Sequence, residues 1–210
     1  MPAEPGRAEP GRAAADGGFT AIEVVMTTAV LSIVMAMSMA FLVSAQRTVT
    51  IADTRSNNID QARLGVEQLD RQIRSGNLIY NPAQENDPAN GIRPGLALRV
   101  YTQSNSVQRC VQWRIYNNLL QTRSWTTTWQ VDDIVSGWRT VADHIVNDTG
   151  SPAFSLDATS SFGSRLLNIS LLVNDSRSSS KNSAVQASVA GRNTQYGYPN
   201  FVCATIPPYS

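Results

Sequence analysis

Two cysteines, a single histidine and one oddly placed carboxylate are the residues of this sequence whose types and spacing could do chemistry. Cys110 and Cys203 permit only one pairing. They belong to no C-x-x-C unit, and with His144 as the sole histidine a zinc site has too few ligands. In an oxidising compartment the two would form a disulfide closing a loop of about 93 residues, worth roughly 4 to 5 kcal/mol in the chain-entropy treatment. In a reducing compartment they would be two buried thiols. Asp143-His144 has the composition of a catalytic dyad, yet neighbours on a strand point to opposite faces, so an exposed polar pair is expected. Asp132-Asp133 reads as a solvated turn for the same reason. The stretch ENDPANG, Glu85 to Gly91, sets oxygen ligands near a glycine without matching the D-x-[DN]-x-[DN]-G calcium loop, so an Asx-rich turn is expected and no metal. No G-x-S-x-G, P-loop or paired-carboxylate arrangement occurs, so the expectation is a protein that is not an enzyme and holds no cofactor. Trp113, Trp125, Trp129 and Trp138 are expected to pack in the core or on a sheet face. The odd carboxylate is Glu23. It stands five residues after Gly18 and directly before twenty uncharged residues, Val24 to Val43.

The elements that must position these residues follow from composition and period. The chain has 210 residues, a formal net charge of +1 and 16% charged residues, against roughly 25% in ordinary soluble domains. Near-balanced charge gives no electrostatic case for a nucleic-acid partner, and there is no acidic or basic tail. Residues 1 to 18, MPAEPGRAEPGRAAADGG, are too poor in apolar groups to bury surface. At about 1.5 Å per residue, the twenty-residue run spans roughly 30 Å, the thickness of a bilayer's hydrocarbon core. Thr27, Thr28, Ser32 and Ser38 are tolerable there because their hydroxyls can bond back to helix carbonyls.

From Ser44 to Ser75 the chain is polar but periodic. Ile59, Ala62, Val66, Leu69 and Ile73 line one helix face, Arg74 suits the last turn, and Gly76 is a suitable stop. One helix from Phe19 to about Ser75 would measure roughly 85 Å, its weak link being TVTIADTRSNN. NPAQENDPANGIRPG then reads as loop. Strand-like runs follow: LALRVYTQ, VQRCVQWRIY, LLQTRSWTT, WRTVADHIV, RLLNISLLVN and AVQASVAGRN. The second and third should form a hairpin at Asn117-Asn118, since asparagine tolerates the positive φ that tight hairpins need. The tail TQYGYPNFVCATIPPYS is irregular. Asn147, Asn168 and Asn174 head N-x-S/T triplets, read as chance matches.

Two accounts of the N-terminus rest on physical grounds alone. The span could be a lone membrane anchor or a secretory signal cut after Val43-Ser44-Ala45. A secretory signal usually has an apolar region of about 7 to 15 residues opened by basic residues, so this run is long and begins on the wrong charge. Arg7 and Arg12 before the span and Arg47 and Arg55 after it leave orientation open.

The stretch GGFTAIEVV resembles the processing site of type IV prepilins and type II secretion pseudopilins. In that family a membrane peptidase cuts after a glycine, the new N-terminus is commonly a methylated phenylalanine, and the fifth mature residue is a glutamate. Carried over residue by residue, the cut falls between Gly18 and Phe19, Phe19 becomes the N-methylated N-terminus, and Glu23 is that glutamate. The match, with Thr20 and the apolar run, covers residues 17 to about 76. Gly17 stands where the family has a lysine or arginine, and the span lacks the helix-breaking Pro or Gly that major pilins often carry, which points to a minor subunit. IDQARLGVEQLDRQIRSGN is similar to the helix end of J-type pseudopilins and W-type minor pilins, as is the order of later segments up to a strand ending in Arg192-Asn193.

The resemblance implies an α+β fold, a long N-terminal helix packed on an antiparallel β-rich head that often holds two small sheets. It divides the chain into a cleaved leader 1–18, a hydrophobic assembly helix 19–43, an amphipathic half 44–76 and a head 77–210. The implied function is a structural minor subunit of a type IV pilus or secretion pseudopilus, at the initiating tip. Implied partners are sibling minor and major pilins, the prepilin peptidase/methyltransferase, the inner-membrane assembly platform, and lipid before assembly. The implied location is the cytoplasmic membrane for the precursor, then a filament with its head exported. Glu23 would pair with the Phe19 amine of a neighbouring subunit, an ammonium largely protonated near neutral pH. An unpaired charge in lipid costs a few kcal/mol, so pairing would set axial register. The alternative is a single-span anchored extracellular binding module that never polymerises.

Overall fold

The computed structural model describes residues 18–103, 107–157, 165–174, 182–191, 198–199 and 201–208. The expected leader up to residue 17 and the Arg192-Asn193 pair lie outside them. One helix, α1, runs Ala21–Ser75 without a break, and two compact units divide between Thr48 and Val49.

In the first unit every described residue is exposed, among them Phe19, Ile22, Met37 and Phe41. The hydroxyls in the run bond back to the helix, as the sequence suggests: Thr27 Oγ1 donates to Glu23 O at 2.8 Å, Ser32 Oγ to Thr28 O at 2.7 Å and Ser38 Oγ to Val34 O at 2.9 Å. The helix has the length and apolarity of a membrane span. TVTIADTRSNN stays helical because helix on both sides spares it the cost of nucleation.

In the second unit the buried stripe of α1 is Asn58, Ala62, Gly65, Leu69 and Ile73. Ile59 and Val66, expected on the same face, are half-buried at its flank. The stripe turns toward Gly65 because a glycine lets the sheet come close: a Cβ there would meet Leu120 Cδ2 at 2.9 Å. Counting apolar residues alone misses this, since Gly65 and Asn58 carry no hydrophobic signal.

Five antiparallel strands form a meander: β1 (Gly76–Ile79), β2 (Ala97–Thr102), β3 (Arg109–Tyr116), β4 (Leu119–Thr126) and β5 (Arg139–Ala142). A short helix α2 (Trp129–Asp132) joins β4 to β5. A second sheet holds β6 (Phe154–Leu156), β7 (Leu166–Val173) and β8 (Ser183–Ala190) in that order. The long helix with an antiparallel head is the α+β architecture expected. The hairpin turns at Asn117 and Asn118, with φ of 50° and 61°, as their side-chain type predicts. β1, β6 and α2 were not legible. The expected strand WRTVADHIV shortens to β5.

Period-two alternation gives the large sheet two covered faces. Leu98, Val100, Trp113, Ile115 and Leu120 join Ala62, Leu69 and Ile73 of α1 in one core. Phe154, Leu167, Ile169, Leu171 and Val189 of the second sheet complete it. Trp113 Nε1 donates to Gln72 Oε1 at 2.6 Å, so the buried indole has its partner. On the other face Leu78, Tyr101, Cys110 and Trp125 form a smaller cluster with Cys203.

Gly76 ends α1, but not through a left-handed cap: it opens β1, and only Gly91 and Gly95 among the described glycines have positive φ. Packing explains it, since a Cβ at Gly76 would meet Val100 Cγ1 at 2.5 Å and Ile73 O at 3.1 Å. Gly76→Ala is therefore expected to cost about 1–3 kcal/mol of head stability, the usual range for overpacking. Gly137→Ala, where nothing lies within 4 Å, should leave the urea midpoint almost unchanged. Equal midpoints for the two variants would refute the packing role.

Candidate functional site

The N-terminal motif sits where the coil becomes helix. Gly18, Phe19 and Thr20 precede α1, and among the described residues nothing beyond its chain neighbours lies within 4 Å of where a Gly18 Cβ would stand. Phe19 is 82% exposed. The main-chain carbonyl of Thr20 accepts from Glu23 N at 3.0 Å and Val24 N at 3.2 Å, closing the first turn. This places Glu23 in the first turn of α1, where the macrodipole favours a carboxylate by about 0.3–1 kcal/mol. That single-chain effect makes Glu23 tolerable at its position. Among the described residues no cation pairs with it. Gly18 and Phe19 present an open bond, and Glu23 presents an unpaired carboxylate four residues along.

Cys110 and Cys203 form a disulfide, with Cα atoms 5.8 Å apart. It fixes the irregular C-terminal segment against β3. Cys203 N donates to Tyr80 Oη at 3.0 Å, and Arg99 Nη1 donates to Cys203 O at 2.7 Å. Tyr198 Oη donates to Gln103 Oε1 at 2.9 Å.

Beneath that segment lies a polar layer that sequence reasoning missed. Arg99, Gln112 and Arg123 stand opposite one another across β2, β3 and β4, with Arg114 and Gln121 in the next row. Arg99 Nη2 meets buried Glu85 Oε1 at 2.7 Å. Burial pushes the Glu85 carboxyl above the usual range, and the attraction of Arg99 only partly offsets it. Arg123 Nε donates to Gln112 Oε1 at 3.0 Å, and Arg123 Nη2 to Pro207 O at 3.2 Å. Arg114 Nη1 donates to Asn90 O at 2.6 Å. The Trp138 ring takes both guanidiniums, Arg114 at 3.9 Å and Arg123 at 4.6 Å. Burial lowers both arginines to about 10. The available signal was the placement of Gln112, Arg114, Gln121 and Arg123 on one strand face, which period-two counting exposes.

The remaining candidates resolve one by one. Glu85 of ENDPANG turns inward to Arg99, while Asp87 hydrogen-bonds Asn90, so their oxygens do not converge. Among the described residues no three His, Cys, Asp or Glu side chains gather as a metal site. Asp143 and His144 do not point apart as a strand would require. β5 ends at Ala142, His144 takes φ 58°, and its Nδ1 lies 2.8 Å from Asp143 Oδ1. Both side chains remain about 40% exposed. Asp132 closes α2 as acceptor for Ile134 N, Thr128 and Thr126, which hold its carboxyl below the usual range. Trp113 and Trp125 are buried, and Trp129 and Trp138 half-buried. Asn147 is buried: its Nδ2 donates to Ser151 O and Ser170 O, and its Oδ1 accepts from Leu172 N.

Comparison with models of known protein families finds no match, and comparison with curated proteins finds none either.

Proposed function

We propose that this chain is a minor pilin-like subunit, cut between Gly18 and Phe19 and assembled through the helix that the cut exposes. The observation that carries the reading is the order Gly18, Phe19, Glu23 at the start of a helix whose apolar residues, through Val43, are all exposed. So large an apolar surface requires lipid or other helices around it. In the precursor the Phe19 nitrogen is an amide. After the cut it is an ammonium, methylated by the peptidase, and Glu23 of an adjoining subunit becomes its partner. Sibling pilins and the inner-membrane assembly platform are the partners, and the disulfide supports a head exported to an oxidising compartment. The chain's work is positioning, at the tip of a pilus or secretion pseudopilus.

The test is processing. Co-expressed with a prepilin peptidase, the chain should shorten by 18 residues, and Gly18→Val should leave it at full length while the head still forms its disulfide. Unchanged size for the parent chain with active peptidase would favour the lone anchor.

A further inference from the structure

The four sheet edges are protected very unequally. β1 has four residues with a register shift between Gly76 and Leu78. β5 has four, opens on exposed Arg139, and meets a shift in β4 between Leu120 and Gln121. β6 has three. Short strands, bulges and charges are the devices that stop an edge from pairing with another chain. β8 lacks the first two, and a charge reaches it only at its first residue, where Arg55 Nη2 donates to Ser183 Oγ at 2.7 Å. It is eight residues long, SAVQASVA, without charge, proline or register shift, and among the described residues it pairs with β7 alone.

The main-chain hydrogen bonds of β7 fix which groups of β8 face outward. On the β6 side, β7 uses Leu166 O, Ser170 N and Leu172 O, and the chain continues with Asn174 N to His144 O. The odd-numbered β7 residues therefore bond β8, in line with Gly191 N donating to Arg165 O at 2.9 Å. It follows that the main-chain groups of Val185, Ala187 and Val189 point to β7. Those of Ala184, Gln186, Ser188 and Ala190 point away, and these residues are exposed.

The outward strand is nearly its own mirror. Ala184 to Ala190 reads A-V-Q-A-S-V-A, and reversed it reads A-V-S-A-Q-V-A. Antiparallel pairing about a two-fold axis at Ala187 sets Ala184 opposite Ala190, Val185 opposite Val189, and Gln186 opposite Ser188. In this register every outward-pointing residue meets another, so each of these pairs exchanges two backbone hydrogen bonds. A slip by one residue would lose that match. The same register lays valine against valine on the core-facing side, where Val185 and Ala187 are half-buried.

We propose that β8 is a self-pairing edge: two copies of this chain join β8 to β8 about Ala187, making one six-stranded sheet from two three-stranded ones. This inference stands independently of how the N-terminus is processed.

Site-specific cross-linking of the full chain in detergent tests it. The native cysteines are bridged, so an introduced cysteine is the free thiol. Ala187 faces its own copy as a non-hydrogen-bonded pair, with Cα atoms about 4.5 Å apart, inside disulfide range. Ala187→Cys should give a covalent dimer on mild oxidation. Val185→Cys and Val189→Cys should each give none alone, and should cross-link when mixed. Adding Gln186→Pro, which removes an outward N–H and spares the bonds to β7, should lower the Ala187→Cys dimer at least tenfold while the native disulfide and melting curve persist. Absence of the Ala187→Cys dimer, equal cross-linking by Val185→Cys, or indifference to Gln186→Pro would each overturn the proposal.

Discussion

Replacing Glu23 with alanine should leave the cut after Gly18 intact and remove the chain from filaments. Two roles for this carboxylate differ in size. As a dipole partner in the first turn it contributes about 0.3–1 kcal/mol, and its loss would only loosen the start of α1. As the proposed partner of a neighbour's Phe19 ammonium it would answer a charge whose cost in apolar surroundings is about 2.5–3.5 kcal/mol. Losing the second role lowers incorporation about a hundredfold, because roughly 1.4 kcal/mol is a factor of ten. Glu23→Gln keeps the side-chain shape without the charge and should fail nearly as badly. Immunoblots of sheared filament against membrane fractions read the outcome, with the processed size as internal control. Glu23→Ala present in filaments at the parental level would restrict Glu23 to its helix.

The second large effect belongs to the disulfide. Cys110→Ser should destabilise the head by roughly 4–5 kcal/mol in the chain-entropy treatment, since the bridge spans a sequence separation of 93 residues. The loss spreads through the polar layer. Arg99 gives Nη1 to Cys203 O and Arg123 gives Nη2 to Pro207 O, so freeing the segment removes acceptors from buried guanidiniums. Cys203→Ser should match Cys110→Ser, and the double variant should add nothing, because one bridge is lost in each. Urea midpoints of the three variants measure this. A change below about 1 kcal/mol would show that the segment holds without its bridge.

Much of the fold was legible because it rests on period and punctuation. Twenty uncharged residues, the spacing through Ala62, Leu69 and Ile73, and an Asn-Asn dipeptide between alternating runs each determine one local outcome. What escaped depends on contacts distant in sequence. β1 is a strand because β2 pairs with it, and Gly65 and Gly76 matter for what approaches them, Leu120 and Val100. His144 and Asp143 meet because the strand ends at Ala142, before either of them, whereas their alternation assumed strand through Val146. The arginine layer also depends on distant contacts: Arg114 and Arg123 are buried because Trp138 and the disulfide-bound segment cover them, which nothing local to either residue encodes. The N-terminal motif is the reverse case. Its residues were read from sequence, and the ammonium proposed for Phe19 would exist only after a covalent step, which no fold of the uncut chain contains.

The most direct measurement is therefore the mass of the N-terminal peptide from the native, membrane-derived protein. A peptide beginning at Phe19 and heavier than its sequence by one methyl group is the result this account predicts. A peptide beginning at Met1, or at Gln46 as an ordinary secretory cut would leave it, would contradict it.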